Sequence, residues 1–576
     1  MQSHPLAFSP CTRVLSLALC LALAASSSSC VAASAAPASA PALKSAGSYA
    51  GLVALFSEWR AAQRPPLLGG VPDYTPKAME AQRQAVASLR QRLLEFEIKS
   101  WPVPQQVDWH VVRAELNGLD FDHRVLRPWA QNPAFYVTVF DEKTDQPARE
   151  GPFALGAVEL WKLKFPLDAA AAKALEAGLS SIPPLLAQAR GNLTGDKRDL
   201  WVYGAKALRQ QEQILAKLSG ELAAQPAPAA AAQPAPAAAA QPAPAAAAAA
   251  QRAREATSAF AAWVEEQSKG KTAPSGIGVE NFDWYAANVQ LVPWNHREQT
   301  VLMERELARA KATLLLEEQR NRALPPLVPV ASAEEHARRF PPAVKAYVEF
   351  LRSHQVMTVR DYFEPALLAE IGHYNPKRPL EFFAESDYRE PVAMRTHGYH
   401  WIDLAMMERE PNPDPIRRGA LLYNLFDTRT EGNATAMEEL MMHSGLFDQN
   451  PRARELIYVL VAQRAARALG ELQMASNKLS LEEAARFAAA KTPRGWLRLE
   501  GGTVWFEQHL YLQQPGYGTS YLTGKLLLDQ LLAAEGDRDG AAFSLRRHFD
   551  ALNAAGLIPA SLLLWELGGV LPEFKE

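Results

Sequence analysis

The chain has 576 residues, of which 48% are hydrophobic and 9% aromatic, and this is enough apolar material for a large folded core. Its 60 basic and 63 acidic residues give a formal net charge of −3 without a basic run, which argues against a nucleic-acid-binding protein. The cysteines, Cys11, Cys20 and Cys30, all lie near the N-terminus, so the rest of the chain is expected to carry no disulfide, thiolate nucleophile or cysteine metal ligand.

Residues 1–45 are typical of a signal peptide followed by a small-residue linker. The apolar run VLSLALCLALAA precedes SSSSCVAASAAPASAPA, which offers several cleavage points. The apolar run is too short to cross a bilayer, so we expect cleavage between Ser26 and Ala42 and a mature chain without a transmembrane segment. The predicted location is the periplasm or the extracellular space. Cys30 offers a lipid attachment point, although Ser27 stands where a lipoprotein signal usually carries leucine.

An Ala/Pro repeat at residues 223–251 interrupts the chain. The unit QPAPAAAA occurs twice from Gln225, and QPAPAAAAAA begins at Gln241. Proline excludes a continuous helix and alanine buries little surface, so we predict a disordered, dispensable insertion. Apolar residues at helical spacing flank the repeat on both sides. We therefore expect it to join two helical parts of one body, residues 46–222 and residues 252–576.

The remaining segments predict a mostly α-helical fold with few short strands. Long amphipathic stretches occupy residues 295–323 and 332–354, and the best strand signal is PAFYVTVFD at residues 133–141. The sequence lacks the signatures GxSxG, GxGxxG, GxxxxGK[ST] and HExxH. Their absence removes the hydrolases, nucleotide-binding proteins and metallopeptidases that carry the strongest motifs.

Three segments in the C-terminal part carry residues suited to a metal site. The first, MRTHGYHWIDLAMME, contains His397 and His400, which lie on one face if the segment is a single helix. Two imidazoles at this spacing can share one metal ion, with Asp403 orienting His400. The alternative is a pair of histidines at the start of a helix, bonded to the backbone or to solvent.

The other two segments bring carboxylates and tyrosines. FDTRTEGNATAMEELMMHSGLF places Glu431 and Glu438 on one helix face, although glutamates on a helix are usually solvated. WFEQHLYLQQPGYGTSYLTGK places Glu507 and Tyr521 on either side of a Pro-Gly turn, where a phenol can donate to a developing oxyanion over a cleft. The alternative for this last segment is a structural turn between helices.

Together the segments resemble the bacterial domain-of-unknown-function family 885, over nearly the whole mature chain. TEGNATAMEEL resembles that family's E-G-W-A-L-Y-A-E helix, and QQPGYGTSYLTGK resembles its P-G-Q-x-x-S-Y-x-x-G turn. The family is similar to helical zinc peptidases of the gluzincin type, and it usually carries H-E-x-x-P-G-H-H where this chain reads MRTHGYHW. The resemblance implies a multi-helical zinc-peptidase-like scaffold, with zinc as the cofactor and a peptide or peptide-like small ligand as the partner.

The change in this motif determines which residues are candidates for metal ligands and for the general base. Without gaps the family's glutamate falls on Arg395, and with a gap it falls on Gly398, so the usual general base is missing in either alignment. The expected metal ligands are His397, His400 and Glu431, with Glu438 as the alternative third ligand. The acids that could replace the base are Glu438, Glu439 and Glu507. Tyr521 is the expected oxyanion donor.

Two functions are compatible with this pattern. The first is an exported metal-dependent hydrolase, peptidase-like, with a degenerate catalytic motif. The alternative is a non-catalytic relative that binds a peptide-like ligand or a partner in the retained cleft. General-base assistance is typically worth about 10²–10⁴-fold in rate, so its loss leaves a slow enzyme or a binding protein.

Overall fold

Helices make up most of the computed structural model, which describes residues 47–224, 242–376 and 381–573. Strands occur in these residues only as two two-stranded sheets, and the prediction of a mostly α-helical fold is confirmed. None of the described helices combines the length and the apolar character needed to cross a membrane. The predicted signal peptide at residues 1–45, with Cys30, lies outside the described residues.

Helices of very different length follow one another along the chain. Before the Ala/Pro repeat they are α1 (Tyr49–Ala62), α2 (Pro76–Leu94), α3 (Val103–Phe121), α4 (Pro128–Gln131), α5 (Ala169–Ser180), α6 (Ile182–Asn192) and α7 (Arg198–Ala223). The next group is α8 (Pro242–Ser268), α9 (Val279–Asn288), α10 (His296–Arg320), α11 (Ala333–Ser353), α12 (Phe363–Leu368), α13 (Phe382–Arg389), α14 (Pro391–His397) and α15 (Tyr399–Arg409). The last group is α16 (Asp427–His443), α17 (Ala453–Ala475), α18 (Leu481–Lys491), α19 (Thr503–Gln513), α20 (Tyr517–Asp539), α21 (Leu545–Ala555) and α22 (Ala560–Gly568).

The strands are only two residues long. β1 (Leu67–Leu68) pairs antiparallel with β2 (Val71–Pro72), and β3 (Val139–Phe140) pairs in parallel with β4 (Val158–Glu159). The Cα partners are Leu67 with Pro72, Leu68 with Val71, Val139 with Val158 and Phe140 with Glu159. The segment with the best strand signal is a 3₁₀ turn at Pro133–Tyr136 followed by β3. Between β3 and β4 the chain forms a long connection, residues 141–157, which we call the β3–β4 loop.

The end of the Ala/Pro repeat is helical. Disorder was predicted for residues 223–251, but α8 begins at Pro242, and Ala246, Ala249 and Ala250 are fully buried in the core that α7 and α8 share. The third repeat unit carries a longer alanine run, and alanine has the highest helix propensity of all residues. Proline is tolerated in the first turn of a helix. Residues 225–241 lie outside the described residues.

The two largest of four hydrophobic clusters organise the described chain. The smaller of these two lies among α5, α6, α7 and α8 in the N-terminal part. The larger one combines helices from both parts, chiefly α3, α10, α16, α17, α20 and α22. Because α3 packs in this larger core together with C-terminal helices, the N-terminal part of the chain lies against the segments that carry the candidate metal ligands.

Helices α16 and α17 run through the larger core and are buried on nearly all sides. Both carry charged residues at these buried positions, including Glu431 and Glu438 on α16 and Arg464 and Arg467 on α17. A buried charge is costly unless it is paired and hydrogen-bonded. The partners of these four residues therefore determine what the centre of the molecule can do.

Glycines allow α16 and α20 to cross at very short distance. A Cβ atom on Gly432 would lie 2.6 Å from the backbone of Gly524, and one on Gly524 would lie 2.1 Å from the carbonyl oxygen of Thr428. Only glycine fits at this crossing. The close approach places the first turn of α20, with Tyr517, beside Glu431 on α16.

Candidate metal centre

The two histidines lie on either side of a helix break. α14 ends at His397 and α15 begins at Tyr399, because Gly398 has a ψ of 8° and leaves the helical conformation. The expectation of a single helix with both histidines on one face is therefore wrong. The two rings nevertheless meet across the break, with their centroids 5.0 Å apart and their planes at 83°.

Glu431 on α16 faces both histidines. His400 Nε2 lies 3.3 Å from Glu431 Oε2. One donor atom from each of His397, His400 and Glu431 lies within 4.8 Å of the other two. The structure thus brings together the three residues that the sequence predicted as metal ligands, although they come from three different helices. Metal binding by these residues stays a prediction.

Two of the donor atoms have no hydrogen-bond partner among the residues that the structure describes. His400 Nε2 and Glu431 Oε2 are buried and face each other, but their geometry is not that of a hydrogen bond. Buried polar atoms in native proteins almost always have a partner, and an ion can supply it. Two ligands about 2.0 Å from a tetrahedral ion lie roughly 3.3 Å apart. The separation of these two atoms therefore fits a shared zinc ion.

Without a metal ion, His400 and Glu431 form a buried ion pair. Burial lowers the pKa of His400, but the carboxylates of Asp145 and Glu431 outweigh burial and raise the pKa to about 9. Burial raises the pKa of Glu431, but His400 outweighs burial and the pKa falls to about 2. A histidine must be neutral to bind a metal. An incoming ion would therefore have to displace the proton of His400.

The other oxygen of Glu431 is held by neutral donors. Gln146 Nε2 donates to Glu431 Oε1 at 3.0 Å, and the Tyr517 hydroxyl donates to the same oxygen at 2.5 Å. Gln146 is itself fixed by the Thr430 hydroxyl, which donates to its Oε1 at 2.7 Å. Neutral donors leave the negative charge of Glu431 available to a cation.

Gln146 also takes the position that the sequence assigned to Asp403. Its Nε2 lies 3.4 Å from His400 Nδ1. Asp403 instead accepts two hydrogen bonds of 3.2 Å from Arg429, in a fully buried pair. Gln146 lies in the β3–β4 loop, more than 250 positions before His400, and no motif surrounds it. Sequence reasoning therefore had no signal by which to find it.

The predicted oxyanion donor, Tyr521, has a different environment from Tyr517. Its ring packs against two guanidinium groups, with the Arg464 and Arg467 carbons 5.6 and 5.1 Å from the ring centroid. Tyr517, one turn earlier on α20, is the tyrosine whose hydroxyl contacts Glu431. The turn predicted around Pro515 and Gly516 is present, but it presents Tyr517 to the site.

Glu471 fixes that turn. Its carboxylate accepts hydrogen bonds from the backbone N–H groups of Gly516 at 2.6 Å and Thr519 at 2.8 Å. These N–H groups belong to the start of α20, where a helix lacks internal acceptors. Gly516 has a φ of 84°, which favours glycine, and a Cβ there would also collide with Gln290. Glu471 therefore sets the position from which Tyr517 reaches Glu431.

Glu438, predicted as a catalytic acid or third ligand, is already paired. It accepts hydrogen bonds of 2.7 and 2.8 Å from Arg464, and its Oε1 lies 3.3 Å from His397 Nδ1. Arg464 Nη2 also donates to His397 Nδ1 at 3.1 Å. Burial raises the pKa of Glu438, but Arg464 and His397 hold it below its usual range. Burial, and then Arg464, lower the pKa of His397, which favours the neutral imidazole that a metal requires.

The other two acids proposed as bases are paired as well. Glu507 forms an ion pair with the buried Arg467. Glu439 points to the opposite face of α16, where Arg309 donates to it at 2.7 Å and Lys525 lies at 3.1 Å. The arginines of α17 were missed at the sequence level. Their signal was the motif QRAAR, two arginines within an otherwise apolar helix.

A cavity of about 370 Å³ opens beside the histidines. Asp145 from the β3–β4 loop lines it together with His397 and His400. Leu367, Phe383 and Trp401 supply part of an apolar wall. The two histidines thus border a space in which a small molecule could reach them, as a functional site requires, while Glu431 lies outside the cavity lining.

Comparisons with known proteins show similarity in fold and, over part of the chain, to a bacterial family of unknown function. A family model described as "Bacterial protein of unknown function (DUF885)" matches residues 399–567, which include His400 and Glu431 but not His397. The fold is similar to "a putative lipoprotein of unknown function" from Shewanella oneidensis, with 13% identity, a TM-score of 0.62 and coverage of 90% of this chain and 99% of that chain. It is also similar to a "putative lipoprotein" from Colwellia psychrerythraea, with 12% identity, a TM-score of 0.61 and coverage of 91% and 99%. No curated protein matches the chain.

Proposed function

We propose that this protein binds a divalent metal ion, with zinc as the best match, through His397, His400 and Glu431, and that it hydrolyses peptide-like substrates in the adjoining cavity. The observation that carries the proposal is the approach of three donor atoms to within 4.8 Å of one another. Two histidines and one glutamate are a donor set of catalytic zinc sites. When bound, zinc would polarise a carbonyl group and make water a stronger nucleophile at neutral pH.

The residues around the donors have defined tasks in this proposal. Gln146 and Tyr517 hold Glu431 in place through its first oxygen, so that its second oxygen faces His400. Arg464 Nη2, 3.1 Å from His397 Nδ1, donates to that nitrogen, and Glu438 Oε1 lies 3.3 Å from it, so the two groups fix the orientation of the ring. A cation bound at the other ring nitrogen would have to displace its proton. Arg464 balances the charge of Glu438.

Glu150 is a candidate proton acceptor by its pKa, although it does not line the cavity. It lies in the β3–β4 loop, where burial, and then the charges of Asp145 and Glu431, raise its pKa to about 7. A general base works best when its pKa lies near the working pH. Glu438 and Glu507 are less suited to this task because each is already paired with a buried arginine.

Those same ion pairs favour a second candidate, a non-catalytic protein that binds a peptide-like ligand. A proton acceptor engaged by a guanidinium group is a poor base, and the usual glutamate of the family motif is absent. In this candidate the cavity and the metal would serve recognition alone.

Metal analysis of the purified mature protein, with a peptidase assay on a peptide mixture, tests the proposal. We expect about one zinc ion per chain and slow, chelator-sensitive hydrolysis. His400→Ala should abolish both, whereas His373→Ala, at an exposed histidine that lines the same cavity, should leave both unchanged. Zinc binding without hydrolysis would favour the non-catalytic candidate. A protein that binds no divalent metal would contradict both metal-dependent forms of the proposal.

Export with lipid attachment at Cys30 belongs to the proposal as well. The apolar segment before Cys30 supports it, and so does the description of the two structural relatives as lipoproteins. Mass analysis of the mature N-terminus provides the test. A mature chain that starts at a lipid-modified Cys30 is the expected result, and a retained Met1 would contradict export.

A further inference from the structure

Some of the charged residues that line the cavity form ion pairs with oppositely charged residues, and one does not. Apart from histidines, the charged residues that line the cavity are Asp145, Glu370, Asp387 and Arg395. Arg395 pairs with Asp387 at 2.7 Å. Glu370 lies 3.4 Å from Lys143 of the β3–β4 loop. Three of the four lining charges therefore have an oppositely charged partner.

Asp145 is the remaining charge once a metal ion holds His400 in its neutral form; without a metal ion the His400 imidazolium balances it. Within the described part of the chain no lysine or arginine forms an ion pair with it, and the side chain of Gln146, its neighbour in sequence, donates a long hydrogen bond of 3.3 Å. Asp145 lines the same cavity as His397 and His400, and its charge acts on His400. A carboxylate thus shares this cavity with two candidate metal ligands, and Arg395 on its wall is already paired.

The chemical complement of such a carboxylate is an ammonium group. A substrate carboxylate would need a cation on the wall, but Arg395 and Lys143 are both engaged by acids. The rest of the wall combines His336 and His373 with apolar and aromatic residues, among them Leu367, Phe383 and Trp401. Such a wall suits an uncharged side chain next to the ammonium group.

We propose that Asp145 anchors the free α-amino group of the substrate, so that the protein acts on the N-terminal end of peptides whose first side chain is apolar. This inference rests on the proposed function, because it assigns the substrate class of the same site. An ammonium group at Asp145 places the first peptide bond beside His397, His400 and Glu431. The apolar first side chain then packs against Leu367, Phe383 and Trp401.

The reaction that this placement supports is hydrolysis of the first peptide bond. The oxygen of water forms a bond to the first carbonyl carbon, and the bond from that carbon to the next nitrogen breaks. The proton released by water passes to the leaving nitrogen. The products are a free amino acid and a peptide shortened by one residue, and no oxidant or other co-reactant is needed.

Binding of leucinamide to the full mature chain tests the anchor without any need for hydrolysis. We expect calorimetry to detect leucinamide binding, and N-acetylleucinamide to bind about tenfold to a hundredfold more weakly, the range expected for one hydrogen bond to a charged group. Asp145→Asn should remove the difference between the two compounds. Glu370→Gln is the matched control on the same wall and should preserve it. Equal binding of both compounds by the native protein would overturn the inference.

Hydrolysis of matched peptides separates failure of the anchor from failure of the proposed function. The zinc-loaded native protein should cleave Leu-Gly-Gly at least tenfold faster than N-acetyl-Leu-Gly-Gly, expressed as kcat/KM, and Asp145→Asn should raise KM for the free peptide alone. Equal cleavage of both peptides would overturn the anchor and leave the hydrolase intact. Selective leucinamide binding without cleavage of either peptide would support the anchor and count against the hydrolase. An equal loss of kcat for both peptides in Asp145→Asn would identify Asp145 as a base and overturn its role as anchor.

Discussion

Two histidine–glutamate pairs lie two turns apart along α16, and they differ in what surrounds them. His400 lies 3.3 Å from Glu431, and His397 lies 3.3 Å from Glu438. Arg464 donates two hydrogen bonds to Glu438, and we call His397–Glu438 the closed pair. Glu431 Oε1 accepts hydrogen bonds from two neutral groups, Gln146 and Tyr517, and Glu431 Oε2 has no hydrogen-bond partner among the described residues. We call His400–Glu431 the open pair.

The comparison shows that a buried carboxylate is not by itself a functional group. Arg464 satisfies Glu438 and turns it into part of the scaffold, so that it orients His397. Glu431 keeps a negative charge and an unpartnered oxygen directed at His400, and a cation would complete it. The predictions that follow test the closed pair and the open pair separately.

Breaking the closed pair should have the largest effect. Arg464→Met leaves Glu438 charged in the core without its guanidinium partner, and the loss of one partner of a buried ion pair costs about 3–5 kcal/mol. Denaturant unfolding of the full chain measures this change. Arg486→Met is the matched control, because Arg486 pairs with Glu482 on the surface, and such pairs contribute about 0–1 kcal/mol. A similar free energy of unfolding for the two variants would show that Arg464 does not stabilise the buried Glu438 carboxylate.

Changing the open pair should remove metal binding with a smaller effect on folding. Glu431→Gln keeps the shape and the hydrogen-bonding capacity of the side chain but removes the charge that a cation needs. We expect the zinc affinity to fall by more than the roughly 10- to 100-fold typical of losing a residue that only supports a ligand. Competition with a chromogenic chelator measures it. Unchanged affinity would exclude Glu431 as a ligand.

The pKa values of the open pair predict how stability depends on pH in the metal-free protein. The folded pKa of His400 is raised to about 9, so its contribution is fully present below the unfolded value near 6.5 and is lost as the pH rises through 9. The pKa of Glu431 is lowered to about 2, so its contribution is present above the unfolded value near 4.5 and is lost as the pH falls through 2. Unfolding curves from pH 6.5 to 9 should therefore show a loss of stability that His400→Gln reduces. The same loss in that variant would contradict the ion pair.

The smallest effect is expected from the residue that supports the open pair. Gln146→Ala removes one neutral donor from Glu431 and the contact with His400 Nδ1, while Tyr517 remains. Zinc affinity should fall by about tenfold, the lower end of the range for supporting residues. Gln188→Ala, at a distant glutamine in the N-terminal part, provides a control for affinity. An affinity loss as large as that of Glu431→Gln would make Gln146 a ligand in its own right.

The sequence allowed the helical fold class and the meeting of His400 with Glu431 to be predicted, because helical periodicity and family-like segments are local signals. It did not allow the environment of Glu438 and Glu507 to be predicted, since the partners of these acids are arginines on α17, a helix that reads as core packing. Gln146 and Asp145 could not be found either. They reach the site through the β3–β4 loop, and only the packing of the N-terminal part against α15 and α16 places them there.

Anomalous diffraction at the zinc edge, from crystals of the mature protein grown with zinc, would locate the metal ion itself. We expect a single strong peak beside α16, with His397, His400 and Glu431 at about 2.0–2.2 Å from the ion. We also expect Glu438 to remain paired with Arg464 in the same crystals. Peaks confined to surface residues, with the His400–Glu431 ion pair intact, would contradict a metal centre at this site.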